Sequence, residues 1–262
     1  MLLGMSEPKI ILFDIETLAN LREVMKVIPN LGDYPGLTLK ASINSVICFG
    51  YKYLGGKRVN CINAWDFEKP WKKNINDDYH LLKEAYEVLK EADAVVTHNG
   101  KRFDWKFIQT RLLYHGFPPL PKIRHIDTCE ESKKNLFMFN NRLNTVAKFL
   151  TDSTKMENGG WDLWVDVSER KPKAMKLMEE YCKQDVLVLE KVFNKLRPVI
   201  KGLPNRNIFK EGDIKVCPGC GSENLRSNGY RTTTTRSYKR YICVDCKSWC
   251  TTDVKDKLPR SY

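Results

Sequence analysis

The apolar positions of the chain fall into short runs and one long periodic stretch. Ile10, Ile11, Leu12 and Phe13 form a continuous run, the pattern of a buried strand, and it leads into Asp14-Ile15-Glu16-Thr17. A stretch through Pro29, Gly32, Pro35 and Gly36 reads as a loop. Ser45–Leu54 and Lys57–Trp65 flank Gly55-Gly56, which predicts two strands joined by a tight turn. Leu81, Leu82, Ala85, Val88 and Leu89 recur at helical spacing and predict an amphipathic helix over Tyr79–Ala92. Ala94–Thr97 reads as a buried strand ending at His98-Asn99-Gly100. A helix is expected from about Phe103 to Gly116, with Pro118 and Pro119 beyond it, then a strand over Ile123–Thr128. Two shorter helical stretches follow, the clearer being Leu143–Leu150, and a long helix runs from about Pro172 to Leu196. Three strands, helix, strand, helix, strand and then helices imply an α/β layered fold whose first three strands form a meander.

The pattern breaks after the long helix. Arg197 to Lys215 carries Pro198, Gly202, Pro204 and Gly212 and reads as a linker. Beyond it aliphatic residues are few, and Cys, Thr, Arg and Tyr are many. Two domains are therefore expected, 1–205 and 206–262. The 262 residues carry 44 Lys and Arg against 32 Asp and Glu, a net charge of +12. Residues 206–262 hold 12 of those cations and six of the acids, so the tail is the denser in positive charge. This balance favours a polyanionic partner, because basic side chains that neutralise phosphates gain from counterion release. No apolar run approaches the roughly 18 residues of a membrane span. Met1–Pro8 lacks the basic start and apolar core of a secretory signal, so no membrane association and a cytoplasmic location are expected.

Three acidic groupings stand out. Asp14 and Glu16, two apart at a strand end, project from the same face. Chance alone yields about four acid-x-acid pairs in a chain of this composition, so the pair gains weight from its place after a buried strand, where α/β folds build their sites. Asp104 lies at a helix start after His98-Asn99-Gly100, where a helix cap would equally account for it. Tyr181 and Asp185 share one helix face at i and i+4. Asp127, in His125-Ile126-Asp127-Thr128, is a further strand-end carboxylate, read as supporting or structural.

Asp14-x-Glu16, Asn99 with Phe103-Asp104, and Tyr181-x-x-x-Asp185 resemble the three-motif signature of the DEDD superfamily of 3′→5′ exonucleases, in the family's order and spacing, over roughly residues 9–200. Glu180 stands where the histidine subtype would carry His, and Tyr181 matches the tyrosine subtype. Asn141–Lys148 looks like exonuclease domains of viral and phage origin, which would place the protein in a host cytoplasm. The resemblance implies a ribonuclease H-like fold: a mixed five-stranded sheet with flanking helices. It also implies two Mg²⁺ or Mn²⁺ ions. Asp14 would bridge them, Glu16 and Asp185 would hold the ion beside the attacking water, Asp104 would help to hold the other, and Asn99 would contact nucleic acid. Tyr181 would orient the water; with an ordinary pKa near 10 it is a poor base in its resting state. Carboxylates suit these ions as hard oxygen ligands, and four of them without metal would repel one another. The tyrosine subtype includes many DNA-polymerase proofreading domains, so DNA is favoured over RNA. An RNA exonuclease or structure-specific nuclease on the same fold, and a non-catalytic nucleic-acid-binding protein, are the alternatives.

The cysteines divide unevenly. Cys48, Cys61, Cys129 and Cys182 are scattered and read as small buried apolar residues. Cys217-Pro-Gly-Cys220 and Cys243-Val-Asp-Cys246 are two Cys-x-x-Cys knuckles at the spacing of one tetrahedral Zn²⁺ site. Cys250 is read as a bystander. The stretch resembles a transposase-type zinc ribbon, with Cys250 where that family usually has an aromatic residue. Arg231, Arg236, Lys239 and Arg240 interleave with Tyr238 between the knuckles, which suits phosphate contacts and base stacking. A ribbon docking onto a protein, such as a polymerase or replication factor, is the competing use.

Overall fold

The computed structural model describes residues 7–18, 45–156, 160–206 and 216–253. Contacts divide the chain into two compact units: Lys9–Val192, and Phe193–Tyr262 together with Met1–Pro8.

The first unit is built on a five-stranded sheet. Its strands are β1 (Ile10–Leu18), β2 (Ser45–Tyr53), β3 (Asn60–Asn63), β4 (Ala94–Thr97) and β5 (Arg124–Asp127), in the order β3-β2-β1-β4-β5. The first three are antiparallel, whereas β4 and β5 run parallel to β1. The expected meander and mixed sheet are both present. The turn after β2 forms at Gly55-Gly56, where Gly56 N donates to Tyr53 O and Gly55 holds φ 82°, a conformation glycine adopts without Cβ strain. The third strand is shorter than Lys57–Trp65. It ends at Asn63, whose backbone N–H donates to Asp66, and a 3₁₀ turn over Ala64–Asp66 carries the chain off the sheet.

Helices follow as α1 (Glu68–Lys73), α2 (Tyr79–Lys90), α3 (Asp104–Tyr114), α4 (Thr128–Asn135), α5 (Leu143–Thr151), α6 (Trp161–Ser168) and α7 (Pro172–Leu196). Leu81, Leu82, Ala85 and Leu89 of α2 and Phe107, Ile108 and Leu112 of α3 join Phe13, Ile15 and Phe49 in one apolar core. Phe107 is a core residue, whereas Phe103 is exposed and packs its ring on Phe107. A buried ion pair pins the region: Arg111 donates to both oxygens of Asp78, which also accepts from Val46 N. The Pro- and Gly-rich loop around Pro29–Gly36 and residues 207–215 of the linker lie outside the described residues.

One position sets the spacing between sheet and long helix. Gly50 on β2 pairs directly with Asp14 on β1, so both point to the same face. A Cβ on Gly50 would lie 2.8 Å from Cys182 Sγ, 3.1 Å from Cys182 O and 3.2 Å from Val186 Cγ2. The missing side chain lets α7 lie close against β1 and β2. Gly50→Ala is expected to push α7 outward and to lower any activity of the acidic site on the order of 10²-fold, since ångström-scale misplacement of reacting groups carries that cost. Activity together with an unchanged fold by circular dichroism checks this.

The second unit holds a three-stranded antiparallel sheet, β6 (Leu225–Thr232), β7 (Ser237–Cys243) and β8 (Trp249–Asp253). Among the described residues, no helix is long and apolar enough to cross a membrane.

Candidate active site

β1 carries the first two carboxylates past the point where β4 stops pairing with it. The parallel register with β4 covers Ile10–Leu12, so Asp14 and Glu16 extend beyond β4 on that side. The pairing with β2 shifts between Glu16 and Thr17, a bulge that interrupts the ladder at the site before it resumes at Thr17 and Val46. Asp104, the first residue of α3, is buried and accepts a 3.2 Å hydrogen bond from Ile15 N. This bond ties the helix start to the strand between the two acids. The close approach of α7 brings Tyr181 and Asp185 to the same place. Trp164 of α6 packs edge-on against the Tyr181 ring, with centroids 6.3 Å apart, and Trp161 is half exposed.

The electrostatics of the cluster are those of like charges held out of water. Desolvation, then repulsion from Asp104, Asp185 and Glu16, holds the Asp14 carboxyl well above the ordinary range. Burial, then Asp185, raises Glu16 to about 8, and burial raises Asp104 to about 6. Asp185 is raised as well, chiefly by burial. Burial pushes the Tyr181 phenol up to about 12, so at neutral pH it is a hydrogen-bond donor and not a base.

Two groups at the site carry no signal in the sequence. Lys155 forms an ion pair with Asp185, and its ammonium also donates to Tyr181 Oη at 3.2 Å. Burial works against its charge, but Asp185 and Asp14 hold it protonated. It is placed by the chain reversal after α5: Asp152 adopts φ 52°, and Lys155 N donates to Asn144 Oδ1. The other is Cys182, whose sulfur lies with carboxylate oxygens of Asp14 and Glu16 in a group of ligand atoms all within 4.8 Å of one another. Gly50 on β2 leaves the room this sulfur occupies, since a Cβ there would lie 2.8 Å from it.

The turn after β4 is held from below. Asp127, at the end of β5, caps α4 by accepting from Cys129 N and Glu130 N. It also accepts from Asn99 N at 2.8 Å and Lys101 N at 3.1 Å. Asp127 is therefore the supporting carboxylate the sequence indicated. Asn99 sits at φ 65°, and a Cβ on Gly100 would fall 2.5 Å from Thr97, so this turn requires glycine there. Asp127→Ala is expected to lower the unfolding free energy by about 2–4 kcal/mol, a lost cap plus buried N–H groups left unpaired. Denaturant titration checks this.

A cleft of about 620 Å³ opens beside the acids. Its lining includes Asp14, Asn99, Lys155, Lys133, Asn141 and Arg142.

In the second unit the two knuckles fold alike. Gly221 N donates to Cys217 O and Lys247 N to Cys243 O, and Gly221 and Lys247 both adopt positive φ. The four sulfurs lie within 4.8 Å of one another, with Cys217–Cys246 at 3.5 Å and Cys220–Cys243 at 3.6 Å. Four thiolates tetrahedral about zinc at about 2.3 Å would stand about 3.8 Å apart, so the set is compatible with one Zn²⁺. Cys250, opposite Tyr241 in β8, is outside the group. Arg231 pairs with Tyr238, and Arg240 lies two residues further along that face, its guanidinium 5.0 Å from the Trp249 ring. Lys239 projects from the other face, beside Tyr241, and Arg236 is exposed at the hairpin turn.

A mixed sheet in this strand order, with carboxylates on its central strand and on two flanking helices, defines a ribonuclease H-like α/β fold. The chain belongs to the RNase H superfamily, whose family model matches residues 36–197. That match begins after β1, so Asp14 and Glu16 lie outside it. No curated protein matches the chain. Among solved structures it is similar to the family B DNA polymerase from the hyperthermophilic archaeon Pyrobaculum calidifontis, at 14% identity and a TM-score of 0.49. The similarity covers 74% of this chain and 26% of the polymerase, so the chain spans about a quarter of that protein's length.

Proposed function

We propose that this protein is a divalent-metal-dependent nuclease: a 3′→5′ exonuclease that acts on DNA in preference to RNA. Residues 1–205 carry the reaction, and residues 206–262 form a zinc ribbon that engages the nucleic acid. One observation carries the reading: Asp14, Glu16, Asp104 and Asp185 converge from one strand and two helices, and Tyr181 joins them. The donor set fits hard divalent cations, because Asp185 Oδ1 is buried with no hydrogen-bond partner among the described residues. Asp14, Glu16 and Asp185 would hold one ion, and Asp14 with Asp104 the other. Bound there, such ions neutralise charge on the oxygens either side of the scissile phosphorus.

The chain's own groups do the rest. Tyr181, protonated at neutral pH, donates a hydrogen bond and orients the attacking water. Lys155, beside both Tyr181 and Asp185, supplies fixed positive charge at the same point. Asn99, held by Asp127, borders the cleft through which a strand end reaches Asp14. In the ribbon, Arg231, Arg236, Tyr238, Lys239 and Arg240 supply phosphate and stacking contacts. The preference for DNA rests on the tyrosine at the fourth position before Asp185.

Single strands of DNA and RNA, labelled at either the 5′ or the 3′ end, test the reading in the presence of Mg²⁺. A 5′ label is expected to yield a ladder of shortening products, and a 3′ label to be released at once as a mononucleotide, with DNA degraded faster. Internal cuts from the outset would overturn the exonuclease assignment. Tight, salt-sensitive binding without cleavage would make the protein a binding module.

A further inference from the structure

We infer that the loop between α4 and α5 is a stacking platform for single-stranded nucleic acid, built from Phe137 and Phe139 beside the basic rim of the cleft; this rests on the nuclease reading of the neighbouring site. Both phenylalanine rings are fully exposed, at 104% and 101% of the reference area. Phe149, on α5, is 73% exposed. Single exposed apolar residues are ordinary, but two in three positions of one short loop are not.

The loop is braced. Ser132 Oγ donates to Asn141 Oδ1 at 2.6 Å, which joins the last turn of α4 to the far end of the loop. The Asn141 carbonyl can only accept, so His98 Nε2, 2.8 Å away, carries the hydrogen. Burial lowers the His98 pKa, and its Nδ1 lies 2.8 Å from Thr128 Oγ1, whose hydroxyl donates to Thr97 O at 3.0 Å. Leu136 N and Arg142 N are also bonded, to Ser132 O and Asn140 Oδ1. These bonds fix both ends of the loop, on either side of Phe137 and Phe139, which limits the segment left to order on binding.

Position and charge identify the occupant. Lys133 precedes the loop and Asn141 and Arg142 end it, and all three line the cleft that contains Asp14. Lys134 and Lys148 are exposed on the same two helices. The nearby Glu130 is taken up by Lys101 at 2.6 Å. Cations beside flat apolar rings, next to a cleft leading to the acids, complement a polyanion with unstacked bases. A strand whose end lies at Asp14 would place its preceding bases on this loop. Stacking is tolerant of sequence, so the platform would grip any single strand.

The test compares the full-length wild type with F137A/F139A and F137Y/F139Y. Binding of a labelled ten-nucleotide single strand is read by anisotropy, and hydrolysis of a dinucleotide is read separately. The alanine pair is expected to weaken strand binding by roughly 10²-fold, each base stack being worth about one to two powers of ten. The tyrosine pair is expected to restore it, and dinucleotide hydrolysis to stay unchanged. Equal affinity in wild type and alanine variant would overturn the proposal. If the alanine pair instead abolished concentration-dependent self-association and spared strand binding, the loop would be a protein interface, and the proposal would fall. Phenylalanine-dependent binding by a wild type that hydrolyses nothing would sustain the platform and remove the nuclease reading.

Discussion

Asp14→Ala is expected to abolish hydrolysis, by about 10³-fold or more, and to leave the fold intact. Losing a single electrostatic contact to a developing oxyanion already costs about 10²–10³ in rate, and Asp14 is placed to serve both metal positions. Stability should not fall with it. Desolvation and three neighbouring carboxylates oppose the charge of Asp14, so its removal relieves repulsion in the metal-free protein. A melting temperature equal to or above that of the wild type, together with lost activity, is the expected pair of results. A stabilising effect of Mg²⁺ or Mn²⁺ on the wild type should shrink in the same variant, because a ligand that binds only the folded state raises its stability by mass action. Retained hydrolysis would remove Asp14 from the machinery.

Removal of zinc from the C-terminal unit is expected to unfold it. β6 of this unit is largely exposed, and within residues 216–253 the buried residues are few: Val216, Cys217, Cys243 and Ser248. So small a core leaves metal to supply the folding energy, for which structural zinc contributes apparent values of about 10–16 kcal/mol. A strong chelator, or Cys217→Ser, should release close to one zinc per chain and open the amides of residues 216–253 to hydrogen exchange. The amides of β1, β2 and β4 should keep their protection, since they belong to the other unit. The DNA-binding salt dependence should flatten at the same time if Arg231, Arg236, Lys239 and Arg240 contact phosphates. Protected amides after chelation would show a ribbon held together without metal.

Much of the fold was readable because its signals are local. The Ile10–Phe13 run, the Gly55-Gly56 turn and the helical spacing through Leu89 each depend on neighbours a few residues apart, and each appears where the pattern put it. The short β3 was less legible, since its end depends on an Asn63–Asp66 bond that breaks an otherwise continuous run. The acids of the site stood out through their places at element ends, and the four clustered cysteines, Cys217, Cys220, Cys243 and Cys246, through spacing alone. Lys155 did not, because it reaches Asp185 from a reversal 30 residues away that no motif marks. Cys182 was read as packing. It is packing, and it also lies among the acids, because Gly50, on a different strand, sets how near its helix comes. The exposed rings of Phe137 and Phe139 belong to no motif in the sequence. Only the fold shows that the loop turns them outward.

Calorimetric titration of Mn²⁺ into the full-length wild type and into Asp185→Asn goes to the centre of the account, because it reads the carboxylate cluster without reference to any substrate. Asp185 is buried with one oxygen unpartnered among the described residues, so the expected result is saturable binding of two ions to the wild type, with at least one site lost in the variant. Equal binding by both proteins, or none by the wild type, would contradict a metal-dependent site at Asp14, Glu16, Asp104 and Asp185.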